Sequence, residues 1–188
     1  SRNPMIEAGQ NEAIHIPVDL TKENDIHNLF NIIDSFGKLD ILIYSAAINY
    51  TKKMEEITKD EWETVININL SAAFYICKEA LTRMKKQNNG KIVNISSIAG
   101  RHRSLVSGVH YVSSKAGMIG LTKQLAFEAA EYNINVNAIC PSQTMTDMLI
   151  ESMTQKEMNE LISTIPLKRL ASIKDQVGVI LFLASDNS

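Results

Sequence analysis

The sequence predicts an α/β fold in which helices cover a parallel β-sheet. Residues 39–44 form a short, almost continuous apolar run, which is typical of a parallel strand buried on both faces. Residues 91–97 and 134–140 are further short runs rich in apolar and β-branched residues. An amphipathic helical pattern over residues 22–36 precedes the first of these strands, and a second pattern over residues 58–87 lies between the first strand and the second.

The composition is that of one globular domain, which we assign to residues 1–188. Hydrophobic residues make up 45% of the chain and charged residues 21%, which is ordinary for a protein with a substantial core. The net charge of −2 gives no reason to expect nucleic acid or an acidic membrane surface as a partner. No apolar run approaches the roughly 18 residues that a membrane span requires, and the first residues do not resemble a signal peptide.

The two cysteines give an indication of the cellular compartment of the protein. Cys77 and Cys140 lie in apolar surroundings without the spacing of metal ligands. We interpret both as buried free thiols, which favours a reducing, cytoplasmic compartment.

The first element should be a strand followed by a helix. Isoleucine and valine alternate with other residues over 13–18, which predicts a buried strand. Thr21 is a candidate N-cap for the helix over 22–36, and Gly37 is placed to end that helix.

Residues 58–87 should form a long helix with a local distortion. Thr58 and Glu61 have the spacing of a capping box at its start. Asn67 and Asn69 interrupt the apolar face. Because asparagine side chains compete for backbone hydrogen bonds, they favour a kink at this point.

The second half of the chain repeats the alternation of strands and helices. A helix over 111–131 separates the strands at 91–97 and 134–140. Residues 145–163 are rich in methionine, leucine and isoleucine, which suits either a substrate lid or plain core packing. A second capping-box pattern begins at Ser172 and opens a last helix that ends near residue 184.

Three polar residues can converge on one point. Tyr111 and Lys115 are four residues apart and share one face of a helix, and Ser97 ends the preceding strand. A phenol has a pKa of about 10 in water, and a nearby ammonium group lowers it. Tyr111 would then exchange a proton with a carbonyl or an alcohol. Tyr and Lys at this spacing also occur by chance on solvent-exposed helices. Whether this pair is functional therefore depends on the motifs around it.

Four features together resemble the short-chain dehydrogenases/reductases. They are Asn69 within Ile-Asn-Leu, Ser97, the Tyr-x-x-x-Lys pair at Tyr111 and Lys115, and the segment 141–146. The resemblance runs along nearly the whole chain. It implies a doubly wound parallel sheet in a Rossmann-type three-layer sandwich, lacking here the N-terminal Gly-rich part and the last strand. It also implies NAD(P)(H)-dependent hydride transfer between a nicotinamide and a small-molecule carbonyl or alcohol substrate.

The resemblance implies catalytic roles for four residues. Tyr111 would be the acid or base, and Lys115 would lower its pKa and bind the nicotinamide ribose. Ser97, chosen over Ser96 because it precedes Ile-Ala-Gly, would orient the substrate oxygen. Asn69 would hold a water molecule of a proton relay, and the alternative is a buried asparagine satisfied by backbone groups.

The resemblance also implies cofactor contacts but no metal ligand. Asp19 would accept a hydrogen bond from the adenine amino group, unless it is only a turn residue. Thr146 would contact the nicotinamide carboxamide, unless it only caps the next helix. The implied cofactor-binding set is Arg2, Asp19, Leu20, Ser45, Ala46, Ala47, Tyr111, Lys115, Pro141, Ser142, Thr144 and Thr146.

The chain departs from the family pattern in several places. No Gly-rich loop for a pyrophosphate is present, because the eight glycines are scattered. Ser45 and Ala47 stand where the family has asparagine and glycine, and Ser142 also replaces a glycine. Ser1 takes the place of the acid that binds ribose in NAD enzymes, and Arg2 follows it, so NADP(H) is favoured and NAD(H) is the alternative.

Two other functional classes were weighed. Some relatives use this fold as a catalytically silent, cofactor-sensing or structural protein, and this is the main alternative. A serine hydrolase built on Ser97 with His102 or His110 is disfavoured because the sequence has no G-x-S-x-G motif. The helices over 58–87 and 111–131 commonly join subunits in the family, which predicts a homodimer or homotetramer. The substrate itself cannot be inferred from the fold.

Overall fold

The computed structural model describes residues 13–151 and 153–188. Within them the helices are α1 (Glu23–Asp34), α2 (Lys59–Ile66), α3 (Ala72–Gln87), α4 (Val109–Ala129), α5 (Asp147–Glu151), α6 (Gln155–Thr164) and α7 (Ile173–Ala184). The strands are β1 (Ile41–Tyr44), β2 (Gly90–Ile95) and β3 (Ile134–Ile139). Single 3-10 turns cover Met54–Glu56, Ile98–Gly100 and Ala130–Tyr132, and a π turn covers Asn67–Ser71.

The three strands form one parallel sheet in the order β1, β2, β3. Ile41 lies opposite Lys91, and Gly90 lies opposite Ile134. Because all strands run in the same direction, the segments that follow them emerge at one edge of the sheet. That edge is where ligands bind in open α/β sheets.

Helices pack on both faces of this sheet. Side chains alternate between the faces along a strand. The Asn94 amide contacts Cys77 of α3 and Thr122 of α4, whereas Lys91, of opposite parity, donates to the Ser188 carbonyl just beyond α7 at 2.9 Å. The doubly wound arrangement predicted from the sequence is therefore confirmed.

The main core lies between the sheet and the pair α3 and α4. It contains a short buried polar chain, in which the Cys77 thiol donates to Asn94 Oδ1 at 3.5 Å and Asn94 Nδ2 donates to Thr122 Oγ1 at 3.0 Å. Burial raises the pKa of Cys77 to about 12, so the thiol stays neutral and unreactive. Cys77 is thus the buried free thiol that was predicted, whereas Cys140 is only half-buried.

The predicted distortion in the long helix is confirmed. Thr58 and Glu61 form the expected capping box at the start of α2. The π turn over Asn67–Ser71 then separates α2 from α3, and the phenol of buried Tyr44 donates to the Ile68 carbonyl inside this turn at 2.6 Å. This hydrogen bond ties the distorted turn to the end of β1.

Two predictions near the start of the chain were wrong. Residues 13–18 form no strand, because a strand needs a ladder of hydrogen bonds and this segment pairs with none of the described strands. Thr21 does not cap α1, whose N-cap is Lys22 without a side-chain hydrogen bond. The Thr21 hydroxyl instead donates to Asp19 Oδ1 at 2.6 Å.

No helix in the described part of the chain is both long and apolar enough to cross a bilayer.

Candidate active site

A cavity of about 400 Å³ opens at the carboxyl edge of the sheet. Its walls come from the segments after all three strands, from the first turns of α4, and from α7. The residues implied by the resemblance that line it are Ser45, Ala47, Ser97, Tyr111, Lys115, Pro141, Ser142, Thr144 and Thr146.

Ser97, Tyr111 and Lys115 reach the cavity from two neighbouring elements. Ser97 follows β2, and its Oγ accepts from the Ala99 N–H at 3.1 Å, which starts the 3-10 turn. Tyr111 and Lys115 lie one turn apart on α4. The Ser97 side chain lies close enough to the Tyr111 hydroxyl to lower its pKa. Ser96, in contrast, is buried and donates to the Lys115 carbonyl at 2.8 Å, so Ser97 is the serine available for chemistry.

The pKa of Tyr111 is raised in this structure, mainly by burial, while the nearby Ser97 side chain acts in the opposite direction. The expectation that Lys115 lowers this pKa is therefore not met here. The reason is geometric: the Lys115 ammonium donates to the Ile95 carbonyl at 2.7 Å and lies 5.7 Å from the centroid of the Tyr111 ring. A neutral phenol suits Tyr111 to give a proton.

Lys115 itself is almost completely buried, with 2% of its surface exposed. Burial lowers its pKa from 10.5 to about 8. Between these two values the unfolded chain binds more protons than the folded one, so folding stability rises with pH in that window. We expect the free energy of unfolding of wild type, minus that of Lys115→Met, to be flat below pH 8 and to increase from pH 8 to 10.5.

Urea denaturation at a series of pH values measures this difference. Lys86→Met is the matched control for the loss of a lysine, because Lys86 is exposed at the end of α3. If the Lys115→Met difference has the same pH dependence as the Lys86→Met difference, burial does not shift the titration of Lys115.

Asn69 does not line the cavity but stabilises two segments that do. It is wholly buried. Its Oδ1 accepts from the Ile48 N–H at 2.8 Å, and its Nδ2 donates to the Ile48 carbonyl at 2.9 Å and to Ser114 Oγ at 3.1 Å. The side chain is thus engaged mainly by backbone, which is the structural alternative stated above. It ties the segment after β1 to α4, and its role in holding a water molecule of a proton relay stays a prediction.

Asn69→Ala should lower the free energy of unfolding by about 1–3 kcal/mol, because it leaves the buried Ile48 backbone groups and the Ser114 hydroxyl without these partners. Asn67→Ala, an exposed position in the same π turn, is the control and should stay within about 0.5 kcal/mol. Urea denaturation of the three proteins compares them. Equal stability of the two variants would show that the Asn69 contacts contribute nothing.

The remaining residues of the implied cofactor set lie elsewhere. Arg2 falls outside the described residues. Asp19 is exposed, and its carboxylate accepts from the Thr21 N–H at 3.0 Å and pairs with Lys22 at 3.2 Å. Hydrogen bonds from Thr21 are the main cause that lowers the Asp19 pKa. This is the turn role left open above. Leu20 and Ala46 pack against the main core, and the cofactor roles of all four stay predictions.

The segment after β3 caps a helix, packs in a hydrophobic cluster and lies beside the cavity. Thr146 Oγ1 accepts from the Leu149 N–H at 3.4 Å, which caps α5, and Thr146 also lines the cavity. Within residues 145–163, Leu149 and Leu161 belong to a small hydrophobic cluster with Leu170, separate from the main core. Packing and a position beside the cavity therefore coexist.

Several cavity residues were missed by the sequence analysis. Asn49, Gln143, Leu149 and residues of α7 line the walls, together with Ser104, Val106 and Ser107. The loop residues could have been found, because a short loop between Ser97 and Tyr111 must pass close to both. The residues of α7 carry no such signal, since only tertiary packing brings that helix to the cavity.

The histidines give no support to a hydrolase. His110 is wholly buried, and its Nδ1 accepts from the Tyr111 N–H at 2.8 Å. His102 is exposed, and neither histidine lines the cavity. Within residues 13–151 and 153–188, no group of three or more His, Cys, Asp or Glu side chains is placed to hold a metal ion.

Comparison with known proteins agrees with this geometry. The family model described as short chain dehydrogenase matches residues 3–157. The chain is 34% identical over 180 residues to a 3-oxoacyl-(acyl-carrier-protein) reductase of Buchnera aphidicola, covering 95% of this chain and 73% of that protein. It is 32% identical over 187 residues to D-beta-hydroxybutyrate dehydrogenase of Rhizobium meliloti, covering 93% and 72%.

Solved structures give the same result. The 3-oxoacyl-(acyl-carrier protein) reductase from Brucella melitensis superposes with a TM-score of 0.87 at 31% identity, over 96% of this chain and 68% of that one. ElxO with NADP bound superposes with a TM-score of 0.84 at 32% identity, over 91% and 70%. The parallel sheet places Ser97, Tyr111 and Lys115 at one cavity, in agreement with these similarities. The chain therefore belongs to the short-chain dehydrogenase/reductase family of oxidoreductases.

Proposed function

We propose that this protein transfers hydride reversibly between a nicotinamide dinucleotide and a carbonyl or alcohol carbon. One observation carries the proposal: Ser97, Tyr111 and Lys115 converge on a single cavity at the carboxyl edge of the parallel sheet. A serine beside a neutral phenol, with an ammonium group next to it, is equipped to hold a carbonyl oxygen and to protonate it.

The residues present fit a nicotinamide nucleotide. The Lys115 ammonium has three donors, and one of them reaches the Ile95 carbonyl, which leaves donors for a ribose. Ser45 and Ala47 are small cavity residues that permit close approach, and Pro141 and Thr146 line the same wall. A bound nicotinamide would supply the hydride, while the protein supplies position and protons.

Three residues of the chain would have separate roles in the reaction. Ser97 Oγ would hydrogen-bond the substrate oxygen and keep it beside the Tyr111 hydroxyl. Tyr111 would give its proton to that oxygen as negative charge develops there. Lys115 would bind the nicotinamide ribose with the ammonium donors that the Ile95 carbonyl leaves free. In the oxidative direction the same residues act in reverse, with Tyr111 as the base.

NADP(H) is the proposed cofactor and NAD(H) the alternative. The similarity to ElxO, which was solved with NADP, supports this choice, as does Arg2 beside Ser1 at the position of the ribose-binding acid. We expect a lower Kd for NADPH than for NADH by calorimetry, and the reverse order would contradict the preference.

The proposal is tested by following NADPH oxidation with a panel of ketones and 3-oxo esters, in wild type and Tyr111→Phe. Turnover that depends on Tyr111 supports the enzyme. Cofactor binding without such turnover would support a cofactor-sensing or structural role instead. Labelling of Ser97 by a serine-reactive phosphonate would favour a hydrolase, and we expect none.

Three finer assignments accompany the proposal. Residues 145–163 serve as a substrate lid, since Leu149 lies on the cavity wall. The protein forms a homodimer or homotetramer, which the exposed aromatic side chains of Trp62, Phe74 and Tyr75 support and analytical ultracentrifugation tests. A cytoplasmic location accords with two free cysteines.

A further inference from the structure

The segment between Gly100 and α4 forms part of the substrate side of the cavity. Ser104, Val106 and Ser107 of this segment line the walls. Arg101, His102 and Arg103 precede them directly, and all three are exposed. Arg101 and Arg103 are therefore close along the chain to residues of the cavity wall, although they do not line the cavity themselves.

These two arginines differ from the other arginines that the structure describes. Arg83 pairs with Asp34 and with Glu79, both at 2.6 Å, and Arg169 pairs with Asp175 at 2.8 Å. Among the side chains that the structure describes, no carboxylate forms an ion pair with Arg101 or Arg103. Their guanidinium groups, which suit the geometry of carboxylates and phosphates, are thus free for an external anion.

The cavity itself offers no repulsion to an anion. No aspartate or glutamate is among the residues that line it, and its polar groups are neutral hydroxyls and amides apart from the cationic Lys115. Asn49, Ser104, Ser107 and Gln143 belong to this neutral set. A substrate could therefore carry a negative group along this wall without meeting a like charge.

The segment is held firmly relative to the reacting groups. The Val106 carbonyl accepts from Asn49 Nδ2 at 3.2 Å and from Thr51 Oγ1 at 3.1 Å. The Gly108 N–H donates to the Tyr50 carbonyl at 3.1 Å. At the other end the Arg101 and His102 N–H groups both donate to the Ile98 carbonyl at 3.0 Å. Since the backbone is held at both ends, the cost of ordering the two arginines around a ligand is lowered.

We propose that the substrate carries an oxyanion group, a carboxylate or a phosphate, separate from its reacting carbonyl, and that Arg101 and Arg103 bind this group. The inference rests on the proposed function, because it assumes that the carbonyl is held by Ser97 and Tyr111. It narrows the substrate class from carbonyl compounds in general to small anionic ones.

Pairs of related ketones, one anionic and one neutral, test the proposal. The carboxylate arm compares 3-oxobutanoate, 4-oxopentanoate and 5-oxohexanoate with their ethyl esters, so that chain length measures the reach to the arginines. The phosphate arm compares dihydroxyacetone phosphate with dihydroxyacetone. In at least one pair we expect the anion to have a kcat/KM roughly tenfold higher than the neutral partner, as charge-assisted hydrogen bonds allow.

The double variant Arg101→Gln/Arg103→Gln should reduce this ratio to about one. Higher salt should reduce the wild-type ratio as well, because exposed charges are screened. Lys86→Gln is the matched control: it removes an exposed positive charge near the amino end of β2, remote from the cavity, and should keep the wild-type ratio. A ratio near one in wild type for every pair, or an unchanged ratio in the double variant, would overturn the proposal.

A binding measurement separates this proposal from the proposed function. Calorimetric titration of each ketone into Tyr111→Phe with NADPH present requires no turnover. The same titration is repeated after Arg101→Gln and Arg103→Gln are added to Tyr111→Phe. If the anion binds more tightly than its neutral partner and this difference is lost in the triple variant, the arginine site is supported even if no ketone is reduced. Equal binding of anion and neutral partner rejects the site even if ketones are reduced.

Discussion

Tyr111→Phe is expected to lower kcat by about 10²- to 10⁴-fold, the range that a positioned acid or base contributes. The substitution removes only the hydroxyl and keeps the buried ring, so the cavity should keep its shape. Burial raises the pKa of Tyr111, and the neutral phenol is the form that gives a proton to a carbonyl oxygen. Without it, the developing alkoxide has no proton donor at that position.

Steady-state kinetics of NADPH oxidation measure the loss, and calorimetry of cofactor binding should give nearly unchanged affinity. Tyr75→Phe is the matched control, because Tyr75 on α3 is 42% exposed and lies outside the cavity, and we expect wild-type kcat. Retention of a third or more of the wild-type kcat by Tyr111→Phe would exclude Tyr111 as the proton donor.

Gly100→Ala is expected to damage both stability and activity. A Cβ at this position would lie 2.6 Å from the Lys115 carbonyl carbon and 2.7 Å from its oxygen. These are backbone atoms of α4 and cannot rotate away, so the 3-10 turn must shift. Overpacking of this kind costs about 1–3 kcal/mol of unfolding free energy. The shift would also separate Ser97 from Tyr111, and a misplacement of about 1 Å can lower kcat/KM about 10²-fold.

Gly120→Ala is the matched control on α4. A Cβ there meets nothing within 4 Å, so the variant should be as active as wild type and up to about 1 kcal/mol more stable, because alanine favours helix over glycine. Urea denaturation and ketone reduction compare the two variants. If Gly100→Ala resembles Gly120→Ala in both measurements, the close approach of the turn to α4 has no importance for the site.

Local patterns predicted much of this molecule. The strand at residues 39–44 and the capping box at Thr58 depend on residues that are close together in the chain. A short stretch of sequence is therefore enough to predict them. The convergence of Ser97 with Tyr111 and Lys115 was also predictable, since a strand end and the first turn of the next helix meet at one edge of a parallel sheet. Where prediction failed, as for a strand at 13–18, the missing element was a partner distant in sequence.

By itself the sequence determined the fold class, because that follows from periodicity. It determined the family, with Ser97, Tyr111 and Lys115, through the motifs that resemble that family. Only the tertiary structure determined the hydrogen-bond partners and the pKa shifts of those side chains. The Ile95 carbonyl, which is 20 residues away from Lys115, holds the ammonium apart from the phenol, and burial rather than charge sets the direction of the Tyr111 pKa. Asn69 likewise braces Ile48 across 21 residues. Contacts and desolvation of this kind depend on which distant segments pack together, and spacing along the chain does not specify them.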